Sequence, residues 1–415
     1  MKLNTKSLRT FFLVFIILFL LLQKIFLQNN NLQFLSYVDE IITILMFFFL
    51  LINFKYFSLE IKRNKISKNI FFLFVFSTVI GVISFLIYKK NSTKAFFIDF
   101  FSCSRFIIIY FFTKIYSKLF KIEFSTEKIN TFLRILSYCL FALFILDIIF
   151  NIFPKFDVRF GIHSYQLFFI HPSQMSIFCI ALISTLICGL NKNKKNIFPI
   201  IMLIIICLFS LRMASIAYLI IVLLMLILYK KNNNVSTKWI TFFIIGVVAI
   251  YIGVDQFKYY YSSSNDGVRN VMTKDAINIA LSNFPFGYGF GSFGTFAAMD
   301  YGSSVYSELH YYTKLYGFER FGCDSFIACI FGQFGLFGGI SYIIILFSLE
   351  IKALKIIDKK KSIALIGLAS YFLISMFAST DIFNPNFLPL IMIFALIEND
   401  DYLELNKKIY EKQVI

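Results

Sequence analysis

Apolar residues run in long blocks along this chain, and polar residues gather between them. Twelve blocks stand out, at about 10–27, 36–54, 70–88, 95–113, 130–150, 168–190, 197–211, 213–229, 239–255, 325–347, 362–378 and 382–398. Apolar runs of about 17–25 residues are what a helix needs to cross the hydrocarbon core of a bilayer. The seventh block is short, and only Ser210-Leu-Arg-Met213 separates it from the eighth. The pattern therefore predicts an all-α polytopic membrane protein with about twelve transmembrane helices. One polar interruption, Gln256 to Asp324, is far longer than the other connections. It divides the chain into spans one to nine (1–255), a loop or cap with short helices (256–324), spans ten to twelve (325–398) and a tail (399–415). Long connections without regular structure are usually functional or disordered. The patterned glycines and aromatics of this one speak against disorder and mark it as the working part.

Composition agrees with the membrane assignment. Hydrophobic residues make up 59% of the 415, and mean hydropathy is +0.78; a soluble domain holds about half apolar residues or fewer. The net charge of +17 suggests nucleic acid until the Lys and Arg are placed along the chain. With the N-terminus in the cytoplasm, the inner segments hold 26 of them and the outer segments 11. That bias is the positive-inside signature. It puts both termini in the cytoplasm and Gln256–Asp324 outside, and it makes lipid, not nucleic acid, the partner of the basic charge. Lys89-Lys-Asn-Ser-Thr-Lys94 runs against the rule. The first span follows Lys2, Lys6 and Arg9 without a small-residue cleavage site, so it is expected to be an uncleaved anchor. The seven cysteines form no CxxC, and His163, His171 and His310 have no metal-ligand spacing, so no metal is expected. Without a P-loop, and with only short cytoplasmic loops, no nucleotide or other cofactor is expected. The two halves share no repeat, which weakens a rocking-bundle transporter.

Three arginines lie near the predicted outer face. Arg159 follows Pro154-Lys-Phe-Asp-Val, and Arg212 sits in the turn between spans seven and eight. Arg269 follows Asn265-Asp-Gly267, which can cap a short helix reaching about Ser282. Arginine binds phosphate oxygens bidentately and stays charged; the alternative is an arginine snorkelling to lipid headgroups. Arg105 lies in mid-span and needs a partner, with Asp99 and Asp147 as candidates, for substrate or as a structural ion pair. Gly289-Phe-Gly-Ser-Phe-Gly294 matches GxGxxG without the strand–turn–helix context of a nucleotide site. Gly289 and Gly291 are expected instead in a tight turn where backbone approaches a ligand or the membrane surface. Tyr288 with Phe286, Phe290 and Phe293 is expected to pack on the bundle, the alternatives being to lie in the membrane interface or to stack on a sugar. His310 is a candidate base or phosphate donor, or else a surface histidine. Glu308, Glu319 and Asp324 are the competing carboxylates.

Together these segments resemble the O-antigen and capsule polymerase/ligase superfamily, with its Wzy-type repeat-unit polymerases. The residues that carry this are Arg269 with Asn283-Phe-Pro-Phe-Gly-Tyr-Gly-Phe-Gly-Ser-Phe293, and Cys323-Asp-Ser-Phe326 with Phe331-Gly-Gln-Phe-Gly-Leu-Phe-Gly338. Ser210-Leu-Arg212, Arg159-Phe-Gly161 and His171-Pro172 are similar to further family segments. The resemblance covers the C-terminal two-thirds. It implies a GT-C-like membrane glycosyltransferase taking undecaprenyl-diphosphate-linked oligosaccharide at the outer face of the cytoplasmic membrane. A chain-length regulator is an implied partner. Arg159 and Arg269 would hold the diphosphate and His310 or Asp324 would assist the acceptor. Arg212, Arg105, Gly289, Gly291, Tyr288 and Ser325 would line the substrate. Where ligases carry a histidine before the span after the long loop, this chain has Cys323-Asp324, which favours polymerase over ligase. A flippase or other transporter is the remaining alternative.

Overall fold

The computed structural model describes residues 5–26, 35, 37–124, 126–159, 161–190, 193–231, 267–315, 317–377 and 379–413. The ninth apolar block and the first part of the long interruption lie outside them. The first nine helices are α1 (Thr5–Phe26), α2 (Val38–Ile52), α3 (Phe54–Arg63), α4 (Lys65–Tyr88), α5 (Thr93–Leu119), α6 (Glu127–Phe150), α7 (Pro172–Cys188), α8 (Ile197–Phe209) and α9 (Met213–Lys231). After the gap come α10 (Val268–Ser282) and four short helices, α11 (Phe296–Asp300), α12 (Ser304–Glu308), α13 (Tyr311–Lys314) and α14 (Phe318–Phe321). The chain closes with α15 (Phe326–Leu354), α16 (Lys359–Ser375) and α17 (Leu388–Gln413). The only sheet among the described residues is a hairpin of β1 (Val158–Arg159) and β2 (Ile162–His163), with Arg159 paired to Ile162.

Five of these helices are long and apolar enough to cross a membrane, or six if α2 and α3, bent by 80°, count as one broken span. The protein is thus an all-α, multi-pass membrane protein. Of the other blocks, the sixth, seventh and eleventh fold into helices of 17, 13 and 17 residues. They are shorter than a straight crossing needs because Gly189, the Ser210 turn and Met376 end them.

The faces of α4 explain how such helices assemble. Phe72, Phe76, Val79, Ile83 and Leu86 point outward at helical spacing, while Ser67, Ser77, Gly81 and Ser84 are buried. Large apolar groups on the lipid side and small or hydroxylated ones inside let helices approach closely. Ser77 uses this by donating to the Gly338 carbonyl of α15 at 3.1 Å. The bundle core is built from α7 and α16, whose side chains are buried over most of their length, with α5 and the first half of α17, buried from Leu388 to Asp400, beside them.

α15 is broken at Gly335, whose φ of +65° and ψ of −166° are not helical. The break frees the carbonyls of Gly332 and Gln333 from their helical donors. Tyr288 and Gly289 backbone N–H groups donate to them instead, each at 2.8 Å. The glycine segment of the long interruption is therefore wedged into the bundle as the complement of a broken helix.

A buried ionic cluster ties five helices at the other end of α15. Lys114 of α5 pairs with Glu60 of α3 at 2.7 Å and with Glu398 of α17 at 2.6 Å. Lys352 of α15 pairs with Glu398 at 2.9 Å and donates to Ser67 of α4 at 2.8 Å. Tyr110 adds a hydrogen bond to Glu398 at 2.9 Å.

Candidate functional site

The end of the bundle opposite that cluster carries the three arginines. Tyr218 packs on Tyr371 with ring centroids 6.3 Å apart, and Val222 lies against Gly367. α9 and α16 are therefore antiparallel, and Arg212, just before α9, lies at the end where α16 finishes. The connection after α16 returns to the entry of α15, where Thr380 donates to the Cys323 carbonyl at 2.6 Å.

Arg159 and Arg212 meet at one residue. Arg159 Nε donates to Asp157 at 2.8 Å, and an Arg212 terminal nitrogen donates to its other oxygen at 3.3 Å. Asp157 is positioned by the β1–β2 hairpin, which Gly161 (φ +76°) turns, and by Ser164, which donates to its carboxylate. The Arg212 guanidinium lies 5.3 Å from the Phe156 ring centroid, and that ring rests on His171 at 4.5 Å. Burial pushes the Asp157 carboxyl up. The hydrogen bonds from Ser164 and Arg159, with the Arg212 charge, outweigh it and hold the group below its ordinary value.

Arg269 falls in the first turn of α10 and donates to Asp324 at 2.8 Å. The helical spacing of Val268, Val271, Met272, Ile279 and Ala280 predicts an apolar face; all of them but the half-buried Val271 are buried, and Ala276 joins them. Val268, Met272, Ala276 and Ile279 meet Phe293, Tyr306, Tyr311 and Phe318 in a small hydrophobic core of their own. Tyr306 is its hub, 4.7 Å from Phe318 and 5.7 Å from Phe293 by ring centroid. Tyr311 adds a hydrogen bond to Asp275 of α10 at 2.6 Å. One turn after Arg269, Thr273 lies 3.2 Å from Ser325 by their hydroxyl oxygens. Ser325 also caps α15, accepting from the Ala328 N–H at 3.2 Å.

What Gly289 and Gly291 approach is protein. A Cβ on Gly289 would run into the Phe85 backbone of α4, and one on Gly291 would come within 2.9 Å of the Ala95 backbone of α5. Gly291 N–H donates to the buried Asp99 at 2.7 Å, and Gln333 donates to the Phe293 carbonyl at 3.0 Å. The Tyr288 ring packs on Tyr88 at 5.4 Å with the Lys90 ammonium 5.0 Å away. His310 is exposed, on left-handed backbone (φ +57°), and none of the described side-chain hydrogen bonds or ion pairs involves its imidazole.

Arg105 pairs with Asp39 of α2, itself held by Gln23 of α1 at 2.9 Å. This corrects the expectation of Asp99 or Asp147 as its partner. Asp99 is taken up by the glycine segment, and Asp147 pairs with Lys155 at 2.5 Å. Among the described residues no group of three or more His, Cys, Asp or Glu could hold a metal ion.

No protein-family model matches this chain, and no curated protein matches it significantly. The site is therefore argued from its own geometry.

Two residues escaped the sequence reading. Asp157, two positions before Arg159, is the shared partner of both arginines, and that i, i+2 spacing was a usable signal. Asp39 lies 66 residues from Arg105 in a different apolar block, and nothing in its local sequence announces the pairing.

Proposed function

We propose that the protein is a membrane glycosyltransferase that polymerises undecaprenyl-diphosphate-linked oligosaccharide repeat units into a cell-surface polysaccharide. In this reading the chain crosses the membrane about twelve times in a GT-C-like bundle, with both termini in the cytoplasm. The arginine-bearing end faces outward, and the lysine-rich end faces the cytoplasm by the positive-inside bias.

The observation that carries the reading is the convergence of Arg159 and Arg212 on Asp157. Two guanidinium groups from separate connections share one anionic position, which a diphosphate can take over with more charge and more oxygens. Arg269 with Asp324 supplies a second such pair at the same end. The cap core of α10 to α14 fixes both partners of that pair on packed elements.

The chemistry follows from charge. An acceptor hydroxyl oxygen attacks the anomeric carbon of the donor, the bond from that carbon to the diphosphate oxygen breaks, and the leaving diphosphate gains negative charge. Fixed guanidinium groups stabilise that charge more in the transition state than in the ground state. The hydroxyl proton passes to a base, for which Asp324, already placed beside Arg269, is the better candidate than exposed His310.

The break at Gly335 favours a transporter as second reading, because broken spans bind substrates and ions in that class. Its freed carbonyls accept from Tyr288 and Gly289, so they are not left for a ligand. The test is to replace Arg159, Arg212 and Arg269 singly with Ala in the producing cell and measure surface polysaccharide length. Short chains with lipid-linked single units accumulating outside are expected; normal lengths in all three variants would refute the proposal.

A further inference from the structure

α3 leaves α2 at Asn53 with a bend of 80°. Its 10 residues span only about 15 Å at 1.5 Å per residue, far short of a bilayer. One side of it is locked into the protein. Glu60 faces Lys114 at 2.7 Å and also pairs with Lys118. The Phe57 ring lies 5.2 Å from Phe71 and 5.2 Å from Phe111.

The other side is exposed and basic. Lys55, Lys62 and Arg63 of α3 and Lys65 and Lys68 at the start of α4 are all exposed. Glu60 is the only acidic residue of α3, and its burial leaves those cations without a carboxylate on their own helix. Aromatic and aliphatic side chains are interleaved with them, Phe54 at 59% and Tyr56 at 50% exposure. This apolar surface continues without interruption from the outward side of α2, where Phe48 is 55% and Ile52 83% exposed. A soluble acidic partner would cover the cations but has no reason to match a surface continuous with the lipid-facing side of α2. A bilayer interface with negative headgroups matches both.

We propose that α3 and the α3–α4 turn form a binding surface for anionic phospholipid headgroups, with α3 lying in the plane of the interface. Glu60 acts as the pin that turns the basic side toward the headgroups. The surface lies at the end of the bundle away from the arginine site, so it holds whatever reaction that site performs.

The test uses the full-length protein in neutral detergent, offered equal phosphatidylglycerol and phosphatidylcholine, with bound lipid counted by native mass spectrometry. Replacing Lys55, Lys62, Arg63, Lys65 and Lys68 together with Gln should lower the bound ratio of phosphatidylglycerol to phosphatidylcholine by at least about tenfold. Replacing Lys89, Lys94 and Lys274 with Gln at the opposite end should leave the ratio unchanged. An equal fall in both variants, or no preference in the wild type, overturns the proposal. If the five-site variant aggregates, the wild type decides alone. Its melting temperature should rise with added phosphatidylglycerol at low salt and lose that rise at high salt, whereas a rise indifferent to salt contradicts a headgroup site.

Discussion

The guanidinium of Arg269 donates to the Asp324 carboxylate at 2.8 Å across 55 residues of sequence. The pair joins the first helix of the cap to the entry of α15, and with it the two ends of the segment that carries the small tyrosine-rich core. If this is where a diphosphate is held, Arg269→Ala should lower polymer formation by about 100-fold or more, the size of losing one preorganised donor. Arg269→Lys should recover little, because an ammonium lacks the planar fork. Asp324→Asn separates roles: a base loses rate at unchanged KM, while a mere counter-charge leaves the rate near wild type. Initial rates with lipid-linked donor read both.

Asp157 should be a brake as well as an anchor. Its folded value lies below the ordinary 3.8, so its pairing stabilises the hairpin fully above that value and is lost only as pH falls through the lowered one. From about pH 5 to about pH 8 Asp157 should stay charged, and any pH dependence there belongs to other groups. Asp157→Asn removes the negative charge that both arginines face, so KM for the donor should fall several-fold while the melting temperature drops. A raised KM would show that Asp157 only orients the arginines.

The glycine wedge predicts a structural phenotype. Gly289→Ala meets the Phe85 backbone at φ +88°, and Gly335→Ala meets the Phe286 backbone at φ +65°. Each should cost well over the roughly 1–2 kcal/mol of left-handed backbone alone. Gly161→Ala, also at positive φ but with open space around it, should cost only about that. Melting by fluorescence size exclusion separates the two outcomes.

The buried ionic cluster should respond unlike surface pairs. Glu398→Gln leaves Lys114 and Lys352 facing a neutral amide and should destabilise the protein by about 3–5 kcal/mol. Glu308→Gln removes the exposed bond to Lys90 at 2.7 Å and should cost less than about 1 kcal/mol. Equal losses in the same melting assay would mean that the cluster is hydrated.

Much of the helical layout was legible because the bilayer demands long apolar runs: blocks 70–88, 95–113 and 130–150 lie within α4, α5 and α6, and block 325–347 starts one residue before α15. The start of α10 after Gly267 and its end at Ser282 were legible from spacing and capping residues. The break at Gly335 was not. Phe331-Gly-Gln-Phe-Gly-Leu-Phe-Gly-Gly339 holds four glycines, and only a partner segment decides which one unwinds. Lys114, Lys352 and Glu398 lie near the ends of apolar runs, where charge is expected for topology. Their burial together depends on five helices packing, which no local pattern contains. At the arginine end, the three guanidinium groups were legible singly, but the carboxylates they pair with came from spacing left unweighed or from distant sequence.

The most direct test of the proposed activity uses purified protein in liposomes with labelled undecaprenyl-diphosphate-linked repeat units. The account predicts a ladder of lipid-linked glycans growing by whole repeat units. One undecaprenyl diphosphate should be released per unit added, and the Arg269→Ala variant should lack the ladder. Repeat units that remain single, whether they stay in place, cross the membrane or pass to another acceptor, would contradict it.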